Sequence, residues 1–377
     1  MSETETTGAP SVATGATDEL LRVVDLKTWI YLRQGIVKAV DGVSFSIRRG
    51  ESVGLVGESG SGKTMTCLSV MRLMPVPSAH IVGGEVWFGG KDLLAQPESE
   101  MRTVRGRQMA MIMQDPLAAL NPILNIGEQV GEPLRYHTKL GPKERLKQVI
   151  ATLGALRIPH PEERLGEYPH QFSGGMRQRI VAAMGISTSP SLIIADEPTT
   201  ALDVTIQGQF LALMRELREK ERLSVLWVTH DLGVVAQVCD RVNVMYAGRI
   251  VESGDVRRIF ASPAHPYTRS LMASVPVLGN KQKRLYQIEG QPPNLLNLPP
   301  GCPFYDRCPL RMDICRDEYP AATPIGDGFV HCWAVSPPST SGTAADTTIP
   351  IGAPAAAAPA AVAATIPASP AAQGPVG

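Results

Sequence analysis

Long apolar runs are missing from this sequence. A membrane-spanning helix needs about 20 consecutive apolar residues, and no stretch of the 377 residues supplies them. Any membrane link must therefore pass through a partner. An excess of either charge is missing too. Lys and Arg number 36, Asp and Glu number 36, and the formal net charge is +0. Nucleic-acid binders usually carry a basic patch or a high pI, so nothing global points to such a partner. The first residues, Met1-Ser2-Glu3-Thr4-Glu5, are acidic. They lack the basic-then-apolar order of a secretory signal, and the expectation is a chain made and kept in the cytosol. Tight C-x-x-C pairs are absent among the six cysteines, Cys67, Cys239, Cys302, Cys308, Cys315 and Cys332. A reducing cytosol disfavours disulfides between them. No internal repeat is visible.

What is there reads as a globular body between two low-complexity ends. Hydrophobic residues make up 44% of the chain, enough for a real core. Residues 1–18 are small and polar, and are expected to be disordered. Residues 336–377 are rich in Ala and Pro. The prolines break any helix the alanines could form, so an extended, flexible tail is expected. Residues 19–270 read as one domain, and residues 271–335 as a cysteine-rich extension. Within the domain, Val53–Val56, Ser191–Ala195 and Leu223–Val228 are short, largely apolar runs of the kind that form buried parallel strands. They alternate with helical patterns, which implies an α/β fold around a mainly parallel sheet. Leu20–Ile47 reads as an antiparallel layer, and residues from about 115 to 170 as an inserted helical subdomain.

Gly57-Glu-Ser59-Gly60-Ser61-Gly62-Lys63-Thr64 fits G-x-x-x-x-G-K-[ST] without a mismatch. It follows an apolar strand, and a helix can start at Lys63. Glycines let successive N–H groups turn toward one point, and the helix N-terminus adds partial positive charge there. Lys63 is expected to reach the β- and γ-phosphates, and Thr64 to offer its hydroxyl to Mg²⁺. A chance Gly/Ser turn is the bland alternative; strand before and helix after weigh against it. Leu192-Ile-Ile-Ala-Asp196-Glu197 is an apolar strand ending in two acids. Asp196 is expected to hold Mg²⁺ through water, and Glu197 to act as general base toward the attacking water. Taken alone, a solvated acidic turn would explain these two. His230 ends another strand, where an imidazole can position the water; a lone histidine is more often structural.

The run Tyr168-Pro-His-Gln-Phe-Ser173-Gly174-Gly175-Met176-Arg-Gln-Arg179 resembles the signature motif of ATP-binding-cassette (ABC) ATPases. Gln114-Asp115-Pro116 resembles their Q-loop, Thr200-Ala-Leu-Asp203 their D-loop, and His230 their switch histidine. The resemblance covers roughly residues 20–335. It implies the fold of P-loop NTPase nucleotide-binding domains: a RecA-like parallel core, an antiparallel layer and a helical subdomain. It also implies two cassettes paired head to tail, with each ATP between the phosphate loop of one and Ser173, Gly174 and Gly175 of the other. Gln114 would reach Mg²⁺ and the γ-phosphate, and Asp203 would line the shared site. Phe172-Ser-Gly-Gly-Met176 departs from the usual Leu-Ser-Gly-Gly-Gln but keeps the phosphate-contacting core. Trp29 and Tyr31 both stand near the place of the adenine-stacking aromatic, and Tyr31 is favoured.

A finer resemblance is to the ATPases of oligopeptide, dipeptide and nickel importers. It rests on Val37–Phe45, Gln114–Pro122, Ala195–Val204, Ser262–Thr268, Gly290–Asn294 and the cysteine-rich end. It implies a second, different ATPase subunit, two permeases and an external binding protein, at the cytoplasmic face of the membrane. Peptides are the expected cargo; nickel or another small solute is the alternative. Soluble cassette ATPases of DNA or ribosomes carry coiled-coil arms or two cassettes, and neither occurs here. A regulatory module without turnover is disfavoured by the intact Lys63, Asp196, Glu197 and His230. Cys302-x₅-Cys308-x₆-Cys315-x₁₆-Cys332 leaves three readings: free thiols, zinc, or a [4Fe–4S] cluster. Zinc usually takes tighter pairs, and a cluster tolerates wider loops. The resemblance favours the cluster, since importer ATPases with this pattern carry one. Cys67 and Cys239 read as ordinary buried thiols, and His331 is set aside as a ligand.

Overall fold

The computed structural model describes residues 18–200, 202–275 and 286–337. The two ends expected to be disordered lie outside the described residues, apart from Asp18, Ser336 and Pro337. So does the stretch 276–285 within the expected extension.

Two sheets form the frame. In the first, β1 (Glu19–Leu32) pairs antiparallel with β2 (Gly35–Arg48) and with β4 (Ala79–Phe88), and β5 (Lys91–Asp92) closes the edge. Leu21, Val23 and Leu26 of β1 are buried, and the jump from Val23 to Leu26 marks a bulge at Asp25. The second sheet has the order β11-β12-β10-β9-β3-β8-β7-β6. Its parallel part comprises β3 (Ser52–Val56), β6 (Met109–Ile112), β7 (Leu192–Asp196), β8 (Ser224–Thr229) and β9 (Arg241–Tyr246). Every residue of β3, β7 and β8 is buried, as expected for parallel strands covered on both faces. These three match the runs read from the sequence; β6 and β9 were not singled out there. The other edge turns antiparallel through β10 (Arg249–Asp255), β12 (Gly328–Val330) and β11 (Thr323–Ile325).

Helix α1 (Lys63–Val70) follows β3 and α2 (Glu98–Arg107) precedes β6. Between β6 and β7 lies the helical insertion: α3 (Pro116–Ala119), α4 (Ile126–His137), α5 (Pro142–Ala155), α6 (Pro161–Arg164) and α7 (Gly174–Ile186). A capping box fixes the start of α4: Asn125 Oδ1 accepts the Glu128 N–H at 2.8 Å, and Glu128 Oε2 accepts the Asn125 N–H. Val130, Leu134, Val149, Leu153, Ile180 and Val181 share one core with the sheet. Each such side chain contributes about 1.5–3 kcal/mol by leaving water. Helices α8 (Val204–Glu221) and α9 (Leu232–Val238) complete the covering of the parallel strands.

The chain then continues through α10 (Val256–Ala261) and α11 (Pro266–Ala273), and its last part packs back on the sheet edge. Val330 and Phe329 pair with Glu252 and Ser253 of β10. Tyr246, Val251, Tyr267, Cys302, Phe304 and Cys315 form one buried cluster, so residues 286–337 share a core with the parallel sheet. Glu252 is fully buried, yet its carboxylate is satisfied. It accepts from Arg258 Nη1 at 3.1 Å and from the Ala264 and His265 N–H groups at 2.9 Å. No described helix is long and apolar enough to cross a membrane.

Candidate functional site

Four of the parallel strands bring chemistry to one edge. Strands β3, β6, β7 and β8 point the same way, so the residues after their carboxyl ends lie side by side: Gly57, Gln114, Glu197 and His230. This edge is where ligands bind in open α/β sheets.

The phosphate-loop residues are held by close backbone approach. Gly62 precedes α1 with a φ of 104°, a left-handed region that side chains avoid. A Cβ on Gly57 would lie 2.1 Å from the Met245 carbonyl oxygen. Ser59 and Gly60 are exposed, while Gly57, Ser61 and Lys63 are buried. Lys63 Nζ donates to the carbonyls of Gly57 at 2.8 Å and Glu58 at 3.0 Å. Burial lowers its pKa, and the charges of Glu197 and Asp196 oppose that shift. The Ser61 hydroxyl is buried without a hydrogen-bond partner. An unsatisfied buried hydroxyl is costly, and a phosphate oxygen is the kind of group that would relieve it.

Thr64 Oγ1 donates to Asp196 Oδ1 at 3.1 Å across the gap between α1 and β7. Burial raises the Asp196 carboxyl above its ordinary pKa; the Thr64 hydrogen bond opposes this. Glu197 takes a left-handed backbone with φ 45°. Strain of this kind gathers at functional sites. Its N–H bonds the Val228 carbonyl at 2.8 Å, which fixes the turn. Three groups meet its carboxylate. Gln114 Nε2 donates to Oε2 at 3.2 Å, Thr200 Oγ1 to the same oxygen at 3.1 Å, and His230 Nδ1 lies 3.1 Å from Oε1. Thr200, named in the sequence only as the start of the D-loop match, is given no role there, because a threonine in a loop carries no chemical signal of its own.

The remaining expected residues stand elsewhere. Ser173 caps α7, its Oγ accepting the Met176 N–H at 3.4 Å, and both Ser173 and Gly174 are exposed. A Cβ on Gly175 would meet Ile206 at 2.6 Å, so close packing of α7 on α8 accounts for that glycine. Gly174 has no positive φ, and among the described residues nothing lies near enough to require glycine there. Asp203 caps α8 by accepting the Ile206 N–H at 3.0 Å. Tyr31 is 45% exposed and packs edge-on against His80. The Trp29 ring lies under Lys38 Nζ, at 5.3 Å. Among the described residues, no hydrogen bond joins Tyr31, Ser173, Gly174, Gly175 or Asp203 to the phosphate loop.

Cys302, Cys308, Cys315 and Cys332 line one small cavity of about 20 Å³ with His265, Phe304 and Trp333. Burial pushes the Cys302 thiol up to about 12 and Cys308 up to about 11. Among the described residues, no group of three or more His, Cys, Asp or Glu could hold a metal ion. Neither the cluster nor the zinc expected of these four cysteines has such a group behind it among the described residues. His331 Nδ1 is engaged by the Pro320 carbonyl at 2.9 Å. Cys67 is buried as expected, whereas Cys239, just beyond α9, is only partly so.

Residues 40–200 match the family described as ABC transporter, and residues 251–315 match the oligopeptide/dipeptide transporter, C-terminal region. The chain is 50% identical to the dipeptide transport ATP-binding protein DppD of Bacillus subtilis, over 84% of this chain and 95% of that protein. It is 45% identical to the oligopeptide transport ATP-binding protein OppD of Salmonella typhimurium, over 85% of this chain and 94% of that protein. Its fold is similar to that of the ATP-binding cassette MJ0796 in a dimeric post-hydrolysis state bound to ADP and phosphate. The TM-score is 0.57 at 25% identity, covering 63% of this chain and 99% of that one. By the order of its motifs, their meeting at one sheet edge and these likenesses, the chain belongs to the ABC transporter ATP-binding proteins, in the oligopeptide/dipeptide transport group.

Proposed function

We propose that this chain binds and hydrolyses ATP and so powers the import of dipeptides or oligopeptides across the cytoplasmic membrane. The observation that carries the reading is Glu197, held at the end of β7 by Gln114 and His230 beside the Thr64–Asp196 pair. The loop Gly57–Thr64 takes the phosphates, with Lys63 moving its donors from loop carbonyls to phosphate oxygens. Thr64, Asp196 and Gln114 offer the hard oxygen donors that suit Mg²⁺. That ion, when bound, neutralises charge on the β- and γ-phosphates. A water attacks the γ-phosphorus, Glu197 accepts its proton, and ADP leaves. His230 and Thr200 fix the direction of the carboxylate.

In this reading the second half of the site is supplied by a partner cassette. Ser173 and Gly174 lie exposed at the N-terminus of α7, where backbone N–H groups and the helix dipole suit a partner's γ-phosphate. Gly174 supports this, because its missing side chain makes room for nothing among the described residues. Asp203 lines the same junction, and Tyr31 stacks on adenine. The partner is a second, different cassette. Two permeases meet the helical subdomain, where Leu117, Ile123 and Tyr136 are 60%, 78% and 69% exposed. An external binding protein completes the complex and selects the cargo. The proposed division is a nucleotide domain, residues 19–270, and an extension, residues 271–335.

Affinity capture from gently solubilised membranes tests this assignment. Two polytopic permeases and a second cassette are the expected companions. Recovery of ribosomes or DNA-repair factors without a permease would sink the transport reading and leave the ATPase chemistry.

The four cysteines are proposed to hold a [4Fe–4S] cluster, with zinc the alternative. The donor set supports it: four thiols face one cavity, and a cluster spreads its ligands more widely than one ion does. Cluster ligands are thiolates, so loading would have to overcome the raised thiol pKa values. Protein purified without oxygen is expected to be brown and to contain iron and acid-labile sulfide. Zinc in place of iron, or no metal at all, would overturn the assignment.

A further inference from the structure

The phosphate loop is tied to the cysteine-lined segment by one side chain. Arg307 lies in the single turn Tyr305–Arg307, between Cys302 and Cys308. Its guanidinium meets Glu58, the second residue of the loop, in a fork: Nη1 donates to Oε2 at 2.7 Å and Nη2 to Oε1 at 3.0 Å. A third donation runs from Nη1 to the Tyr246 hydroxyl at 3.1 Å, and a fourth from Nε to the Glu289 carbonyl at 3.1 Å. The Arg307 side chain is only 5% exposed. On the same loop residue, the Glu58 N–H donates to the buried Tyr267 hydroxyl at 2.9 Å. Tyr267 and Tyr246 pack on Phe304, two residues after Cys302. Glu58 is thus held at its backbone by Tyr267, a member of the buried cluster that also contains Cys302 and Cys315, and at its carboxylate by Arg307, which itself donates to Tyr246 of that cluster.

Within the nucleotide reading above, we propose that Arg307 is a positioning residue for the ATP site. It reaches from the cysteine-lined segment to neutralise and orient the Glu58 carboxylate within the phosphate loop. The chemistry asks for such a partner. Glu58 carries a full negative charge in a loop that must receive a polyanion. Left unpaired, its carboxylate would repel the phosphates and compete for Lys63, whose amine already feels it. A bidentate arginine neutralises that charge and fixes its direction away from the phosphates, which a point-charge lysine does less well.

The test is ATP affinity of the full chain, measured by titration with a fluorescent ATP analogue in the presence of Mg²⁺. Arg307→Gln is expected to weaken binding roughly tenfold, the loss of a charge-assisted pair. Arg307→Lys should recover part of that. Glu58→Gln in the Arg307→Gln background should restore affinity to within about threefold, because the unpaired carboxylate is what harms binding. Arg311→Gln, in the same segment but off the loop, should leave affinity unchanged. A merely structural role would lower thermal stability in Arg307→Gln without suppression by Glu58→Gln. Equal affinity of Arg307→Gln and the unaltered chain, or a double variant as weak as the single, would overturn the proposal. No ATP binding by the unaltered chain would instead overturn the nucleotide reading on which it rests.

Discussion

Glu197→Gln is expected to lower steady-state ATP turnover by about 10²–10⁴-fold, the usual worth of a positioned general base, while ATP still binds. The swap keeps the shape. A glutamine amide at this place can still accept from Thr200 Oγ1 and face His230 Nδ1, both now 3.1 Å from the carboxylate. What it loses is the negative charge and the site for a proton. Removing that charge also removes repulsion toward an incoming polyphosphate, so affinity for ATP should hold or rise. The readout is therefore a split: bound ATP retained, phosphate release nearly gone. His230→Ala should cost less, because the imidazole directs the carboxylate and does not take the proton. Undiminished phosphate release by Glu197→Gln would remove Glu197 from the role of base and shift attention to His230.

The parts of this site that could be read from the sequence are those whose chemistry is contiguous. The phosphate loop puts turn, anion cradle, lysine and hydroxyl into the eight residues Gly57–Thr64, so one pattern carries the whole claim. Asp196 and Glu197 gain their meaning beside the phosphate loop, since taken alone a solvated acidic turn explains two acids after an apolar strand. Gln114 is different. Its strand, Met109-Ala-Met-Ile, is four residues long with a single β-branched member, too little for a pattern to register. Apart from its likeness to the family's Q-loop, the residue gains meaning only when β6 lies beside β7 and the amide comes to Glu197, 83 residues away in sequence. Arg307 and Glu58 are 249 residues apart, and neither carries a local signal. Tyr31 is favoured over Trp29 by its place in the sequence and not by its face, for another reason. Alternation assigns faces only while the register holds, and β1 slips at several points. For the cysteines, spacing told that they gather. It could not give the shape of the space between them, because that depends on β12 pairing with β10.

Gly62→Ala is expected to abolish measurable ATP binding, and Gly60→Ala to weaken it far less. Both residues have left-handed backbones, with φ 104° at Gly62 and 78° at Gly60. A side chain in that region costs about 1–2 kcal/mol, a factor of about 5–30 in the folded population of the loop. The difference lies in what surrounds them. A Cβ on Gly62 would sit 2.2 Å from the Ala39 carbonyl oxygen and 2.8 Å from the Met245 side chain. The first of these is backbone of β2, held in the sheet, and it cannot yield without moving the strand. Around a Cβ on Gly60, nothing among the described residues lies within 4 Å. Gly62→Ala must therefore reshape the start of α1, and with it the placing of Lys63 and Thr64, before any nucleotide arrives. Thermal melting of both variants without nucleotide, followed by ATP titration, separates the two effects. Gly62→Ala should melt earlier and bind nothing. Gly60→Ala should melt close to the unaltered chain, so that any loss of affinity beyond the backbone cost reports a methyl group meeting the phosphates themselves. Retention of ATP binding by Gly62→Ala within tenfold would mean that β2 can give way. The loop would then owe its shape to the bound phosphates more than to the sheet behind it.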